Sequence, residues 1–170
     1  MTAQRPSIRL QDKWLDTLLP HVADMGWTDQ AVTLAAREAG LSSEETALAA
    51  PNGVSDLLER FFDRAEEGML AALEAEDLSV LRTHEKVAAG IRAWLGALEP
   101  HREAVKRASA RGFLPWNAPD AAQRTWKTAD AIWTAAGDTA TDYNRETKRG
   151  LLSAVPVSYT HLRAHETRHD

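Results

Sequence analysis

Residues 28–53 read TDQAVTLAAREAGLSSEETALAAPNG, and this stretch decides the fold. Thr28 stands where a hydroxyl can accept from the exposed amides of a helix start, and apolar positions then recur at helical spacing to about Ala39, with Gly40 as the stop. Ser42 and Glu45 follow at capping-box spacing. The Ser hydroxyl and the Glu carboxylate would each satisfy one orphan amide of a short third helix, which Pro51-Asn52-Gly53 ends. Two helices joined by a tight turn are thus written into 26 residues.

The same period continues in both directions. Upstream, Leu10, Trp14, Leu18 and Val22 share one face of a first helix, closed by Asp24-Met25-Gly26. Downstream, Leu57, Leu58, Phe61, Phe62, Ala65 and Met69 mark a long fourth helix, and Val87, Ile91, Trp94, Leu95 and Leu98 a fifth that Pro100 stops. A shorter helix is expected over His101 to Arg111. After a loop punctuated by Gly112, Pro115, Asn117 and Pro119, Ala122, Trp126, Ala129, Trp133 and Ala136 form the stripe of another, ending at Gly137. Asp138 would cap an eighth segment carrying Tyr143, Thr147 and Leu151. No alternating stretch is long enough for a strand, so the fold class is all-α.

Composition narrows the function classes. The 170 residues carry 20 Lys+Arg against 25 Asp+Glu, a net charge of −5, with 44% hydrophobic residues and no cysteine. A chain of this length can bury roughly 70% of its unfolded surface and needs no disulfide staple. Without a thiol there is no redox pair, cysteine nucleophile or Cys-ligated metal. The acidic balance disfavours a broad footprint on nucleic acid. No apolar run reaches bilayer length and the first residues lack the apolar core of a signal peptide, so the expected location is cytoplasmic.

Catalytic motifs are absent or poorly placed. There is no GxGxxG, GxxxxGK[ST] or GxSxG pattern, and no nucleotide cofactor is expected. His165-Glu166-Thr167-Arg168-His169 is a literal HExxH, in which two histidines one turn apart could share a zinc ion. It ends one residue before the last and has no third ligand. It also lies in residues 155–170, VPVSYTHLRAHETRHD, which lose helical period and resemble a translated sequencing adapter, so this tail is read as non-native and the metal expectation is none. His21, His84 and His101 are lone histidines without a visible orienting group, better read as structural than catalytic. Glu44-Glu45 and Glu66-Glu67 are read as solvated charge.

The first three helices have a helix-turn-helix outline and resemble the N-terminal domain of TetR-type regulators. In a DNA reader the third helix must offer donors to bases and phosphates. Here it offers Ser43, Glu44, Glu45 and Thr46, and residues 1–53 hold four basic against seven acidic side chains, so the outline is expected without nucleic-acid binding. A TetR-type regulator responding to a small apolar ligand remains the alternative.

Ordered motifs carry a second resemblance. LLPHVADMGWTDQAVTLAAREAGL, the step from Pro51-Asn52-Gly53 to Asp56-Leu57-Leu58, LEPHREAVKRA, FLPWNAP, ADAIW and GDTATDYNRETKR resemble the coenzyme Q biosynthesis protein nine family over roughly residues 12–154. Arg145-Glu146 departs from that family, where an aromatic pair is usual, and the motif match stops near Ala154.

The resemblance implies a TetR-like multi-helix fold with degenerate helix-turn-helix helices over 1–53, continuous with a lipid-binding bundle over 54–154. It implies a non-enzymatic accessory of ubiquinone biosynthesis that takes an isoprenoid lipid or ubiquinone precursor, in transient contact with a membrane surface, and presents it to a ring hydroxylase. Candidate lipid-wall residues are Phe61, Phe62, Met69, Ile91, Trp94, Leu95, Leu98 and Leu151; candidate partner-binding residues are Trp126, Asp130 and Trp133, two indoles flanking a carboxylate at i, i+4 and i+7. Peripheral attachment to the inner membrane is the corresponding location, and a homodimer is expected where a final helix follows residue 154.

Overall fold

The structure is a computed structural model, and it describes residues 5–112, 117–137, 150 and 152. Among the described residues the chain is all-α. Helix α1 spans Pro6–Met25, α2 Asp29–Glu38, α3 Ser43–Ala49, α4 Val54–Ala75, α5 Thr83–Leu98, α6 Arg102–Gly112 and α7 Ala118–Ala135. Short 3-10 turns occupy Leu78–Val80 and Glu99–His101. The eighth segment expected from Asp138, and the tail with its HExxH, lie outside the described residues.

Local chemistry sets the helix boundaries. The Thr28 hydroxyl accepts from the Ala31 amide at 3.2 Å, capping α2. In the capping box of α3, Glu45 N–H donates to Ser42 Oγ at 3.2 Å and Ser42 N–H donates to Glu45 Oε2 at 2.9 Å. Between α2 and α3, Gly40 has φ +65°, a left-handed turn that costs a residue without Cβ nothing sterically. Pro119 lies in the first turn of α7, where its missing N–H leaves no bond unmade.

The chain forms two compact units. The first takes in the chain up to Arg64 together with His101–Arg111; the second takes in Ala65–Pro100 and the described residues from Gly112 onward. In the first, Trp14, Leu15, Leu18, Val22, Trp27, Val32, Leu57 and Phe61 are buried. Indole donors tie its helices together: Trp14 Nε1 donates to the Val32 carbonyl at 2.9 Å, and Trp27 Nε1 donates to the Ala104 carbonyl at 2.9 Å. Arg60 is also buried. It donates through Nε to Asp12 Oδ1 at 2.7 Å and through Nη2 to Asp12 Oδ2 at 3.0 Å, and one turn on Arg64 donates to Asp16 Oδ1 at 2.7 Å. These two rungs lock α1 to α4 in register, because residues four apart share a helix face.

In the second unit Met69, Leu73, Val87, Ala89, Trp94, Leu98, Ala129, Ile132 and Ala136 are buried. Helix α5 meets α7 closely at Gly90, where a Cβ would stand 3.0 Å from Ile132 Cγ2. The buried face of α7 is Thr128, Ala129, Ile132 and Ala136, whereas Ala122 and Trp126, which the apolar stripe also took in, are exposed. The glycine approach selects this face, since only a side without bulky indoles can close on it.

Candidate functional site

Helices α5 and α7 enclose a small cavity. Ile91, Trp94 and Leu95 line it from α5, Thr125, Thr128, Ala129 and Ile132 from α7, and Leu152 completes the lining. The wall is almost wholly apolar. Thr125 Oγ1 donates to the Ala121 carbonyl at 2.8 Å, and Thr128 Oγ1 to the Arg124 carbonyl at 3.3 Å. The cavity measures about 20 Å³, room for roughly one water. An isoprenoid chain would therefore have to part α5 from α7. A broader concavity of about 450 Å³ lies in the first unit, along Met25, Asp29, Gln30, Thr33, Leu34 and Arg37, and holds none of the candidate residues.

The structure brings three of the eight lipid candidates together at this cavity: Ile91, Trp94 and Leu95. Met69 and Leu98 are buried in the same unit without lining it. Phe61 and Phe62 belong to the first unit, where Phe61 packs against Trp27 at 5.5 Å, Phe62 at 5.1 Å and the His101 ring at 6.0 Å between centroids. Leu151 lies outside the described residues. Sequence reading missed Thr125, Thr128, Ile132 and Leu152. A turn-by-turn count of α7 on the side without tryptophan would have found the first three.

The partner candidates lie on another side of α7. Trp126 is 37% exposed, while Asp130 and Trp133 are half-buried. The greater exposure of the two indoles falls on Trp126. At the other end of the chain, α3 presents acid. Hydrogen bonds from the Glu44 backbone amide first, then from the Ser42 and Ser43 hydroxyls, hold the Glu44 carboxyl below its ordinary range.

Two of the described histidines, His21 and His101, meet groups on other elements. His21 Nε2 lies 2.7 Å from Glu38 Oε2, joining α1 to α2, and His84 is exposed in the first turn of α5. Burial, then the positive charge of Arg64, pushes His101 below its ordinary pKa, with Asp16 opposing. Among the described residues no cluster of three or more metal-ligating side chains occurs, and no helix is long and apolar enough to cross a membrane.

Fold and cavity define an all-α protein with an apolar pocket walled by two helices. The COQ9 family profile matches residues 118–169, past Ala154, where the motif resemblance was read as stopping. The human ubiquinone biosynthesis protein COQ9, mitochondrial, is 29% identical over 154 residues, covering 86% of this chain and 48% of its own length. The Rattus norvegicus protein of that name is also 29% identical over 154 residues, covering 86% of this chain and 49% of its own length. The probable ubiquinone biosynthesis protein coq9, mitochondrial, of Dictyostelium discoideum is 27% identical over 155 residues, covering 88% and 50%. On these matches the chain is similar to COQ9 proteins over most of its length. It spans about half the length of the curated relatives it matches.

Proposed function

We propose that this chain serves ubiquinone biosynthesis as a lipid-binding accessory with a TetR-like helical arrangement, holding an isoprenoid lipid or quinone precursor and offering it to a ring hydroxylase. The observation that carries the reading is the apolar cavity between α5 and α7, lined by Ile91, Trp94 and Leu95, in a chain whose relatives bear ubiquinone-biosynthesis names. Transfer of an isoprenoid from water is worth about 0.8 kcal/mol per carbon, or about 4 kcal/mol per five-carbon unit. That gain is on the scale needed to separate two packed helices. The protein needs only to bind and present; the ring chemistry belongs to the partner. Trp126, Asp130 and Trp133 form the partner-facing stripe, since aromatic anchors beside a charge are typical of binding hot spots. The relatives' names place those proteins in mitochondria, and by that analogy this chain works at the face of a respiratory membrane.

Purified protein mixed with vesicles containing ubiquinone precursors, re-isolated and extracted for mass spectrometry, tests the reading. Isoprenoid carried with the protein is the expected result. Protein that emerges without lipid, and takes up none on repeated exposure, refutes it.

A further inference from the structure

Asp29, Thr33 and Arg37 recur at every fourth residue of α2 and form one ridge along it, with Leu34 beside them, and all four are exposed. Together with Met25 from the end of α1 they line the broad concavity of the first unit, whose wall is mostly apolar although it lies open to solvent. Leu34 is among the large apolar side chains left at the surface. The neighbouring Glu38 is taken by His21 at 2.7 Å, but among the described residues no hydrogen bond or ion pair holds the side chain of Asp29 or Arg37. The two charges suit the dipole of α2, a role that needs no apolar floor between them. In helix-turn-helix readers the helix before the recognition helix crosses the nucleic-acid backbone. A face with one acid, one base and an apolar floor fits a protein instead.

We propose that this face docks a second copy of the chain, the two α2 helices lying antiparallel about a two-fold axis at Thr33. The spacing of the charges selects the occupant. In an antiparallel pair with its axis at Thr33, the residue four before meets the residue four after, so Asp29 of each copy faces Arg37 of the other and the same patch serves both copies. A parallel pair would set like charges against each other. Leu34 and Met25 lose water in the contact, a gain that exposed ion pairs alone supply only weakly. A contact centred on a helix of 10 residues falls below the roughly 1,200 Å² of stable assemblies, so the association is weak and reversible. The surface belongs to the first unit, and the proposal stands independently of the lipid-binding reading and of any dimer made through a final helix.

The chain has no cysteine, so one introduced thiol reports on one position. Full-length Thr33→Cys, oxidised at high concentration, is expected to form a disulfide-linked dimer about tenfold faster than Ala47→Cys, at an exposed position of α3, because only at the axis does a residue meet its own copy. Sedimentation equilibrium tests the charges. Asp29→Arg and Arg37→Asp, each alone, set like charges against each other and are expected to weaken association roughly tenfold. An equimolar mixture of the two variants restores opposite charges across the contact and is expected to associate as the unaltered chain does. Thr33→Lys, an exposed change that keeps both charges and the helix, places like charges at the axis and is expected to weaken association as well; it decides the matter should a charge reversal fail to fold. Three results overturn the proposal: an unaltered chain that stays monomeric at about 1 mM, equal cross-linking at the two thiol positions, or a mixture of folded variants that associates no better than its components. Association that every variant leaves unchanged belongs to another contact and overturns it too.

Discussion

Replacing Gly90 with alanine tests whether α5 and α7 close as tightly as their geometry requires. Two effects oppose each other. In a helix interior alanine is favoured over glycine by about 1 kcal/mol. Against that, the new Cβ would stand 3.0 Å from Ile132 Cγ2 and 3.7 Å from its Cβ and Cγ1. The first distance is tighter than ordinary van der Waals contact, and the atom met is a methyl on a β-branched, buried side chain with little rotameric freedom. Overpacking of this kind costs about 1 to 3 kcal/mol. Overpacking wins, so Gly90→Ala should destabilise by about 1 kcal/mol net, a fall of about 2 to 4 °C in Tm for a chain of this size. Urea unfolding of a double-mutant cycle isolates the contact. Ile132→Leu removes Cγ2, and in that background Gly90→Ala should become neutral or stabilising. Ile132→Val keeps Cγ2 and should give no relief. A Gly90→Ala effect of the same size in all three backgrounds would refute the proposed close approach.

Phe61→Ala should cost about 3 to 5 kcal/mol in the same assay, because the ring is buried against Trp27, Phe62 and His101; a loss below about half a kcal/mol would contradict that packing. Asp12→Ala removes the paired acceptor of the buried Arg60 guanidinium and should cost about 3 kcal/mol, whereas Asp12→Ala combined with Arg60→Met should recover much of it in melting curves. His101 in the folded chain titrates below its ordinary 6.5, so its neutral form favours the fold; that contribution is complete above pH 6.5 and is lost as pH falls through the folded value. Tm measured between pH 7.5 and 5.5 should decline less steeply in His101→Gln than in the parent, and parallel curves would argue against it. Trp126→Ala should leave Tm almost unchanged while weakening hydroxylase binding by more than about 2 kcal/mol, the scale of a hot spot; unaltered binding would remove Trp126 from the interface.

Helix starts and stops were legible because their causes are local. Thr28, Ser42 with Glu45, Gly40 and Pro119 each act within about one turn, and a linear reading holds all the partners in view. What escaped the reading depends on groups far apart in sequence. Nothing near Trp27 announces that its indole will donate to Ala104, 77 residues on. Nor does Asp12 reveal that its partner is Arg60, or the segment His101–Arg111 that it packs with the first unit. These pairings follow from which helix faces meet, and periodicity states only that a face exists. The site was half legible for the same reason. The apolar positions of α5 identified Ile91, Trp94 and Leu95, but the α7 side of the cavity depended on a choice between overlapping stripes.

That choice has a geometric explanation. At 100° per residue, Thr125, Thr128, Ala129, Ile132 and Ala136 fall on one arc of α7, and Trp126, Asp130 and Trp133 on another centred about 100° away. The stripe of Ala122, Trp126, Ala129, Trp133 and Ala136 lies between them, sharing two alanines with the inner arc and two tryptophans with the outer. Hydrophobicity alone favours that compromise, because it counts each indole as core. Gly90 breaks the tie. Its missing side chain admits Ile132, turning the inner arc onto α5 and leaving the tryptophans at the margin. Trp133 is then half-buried and Trp126 more exposed. A truncation at Trp133 removes packing as well as surface, so a loss of partner binding there would mix two causes. At Trp126 little packing is lost, and reduced binding would report on the interface itself.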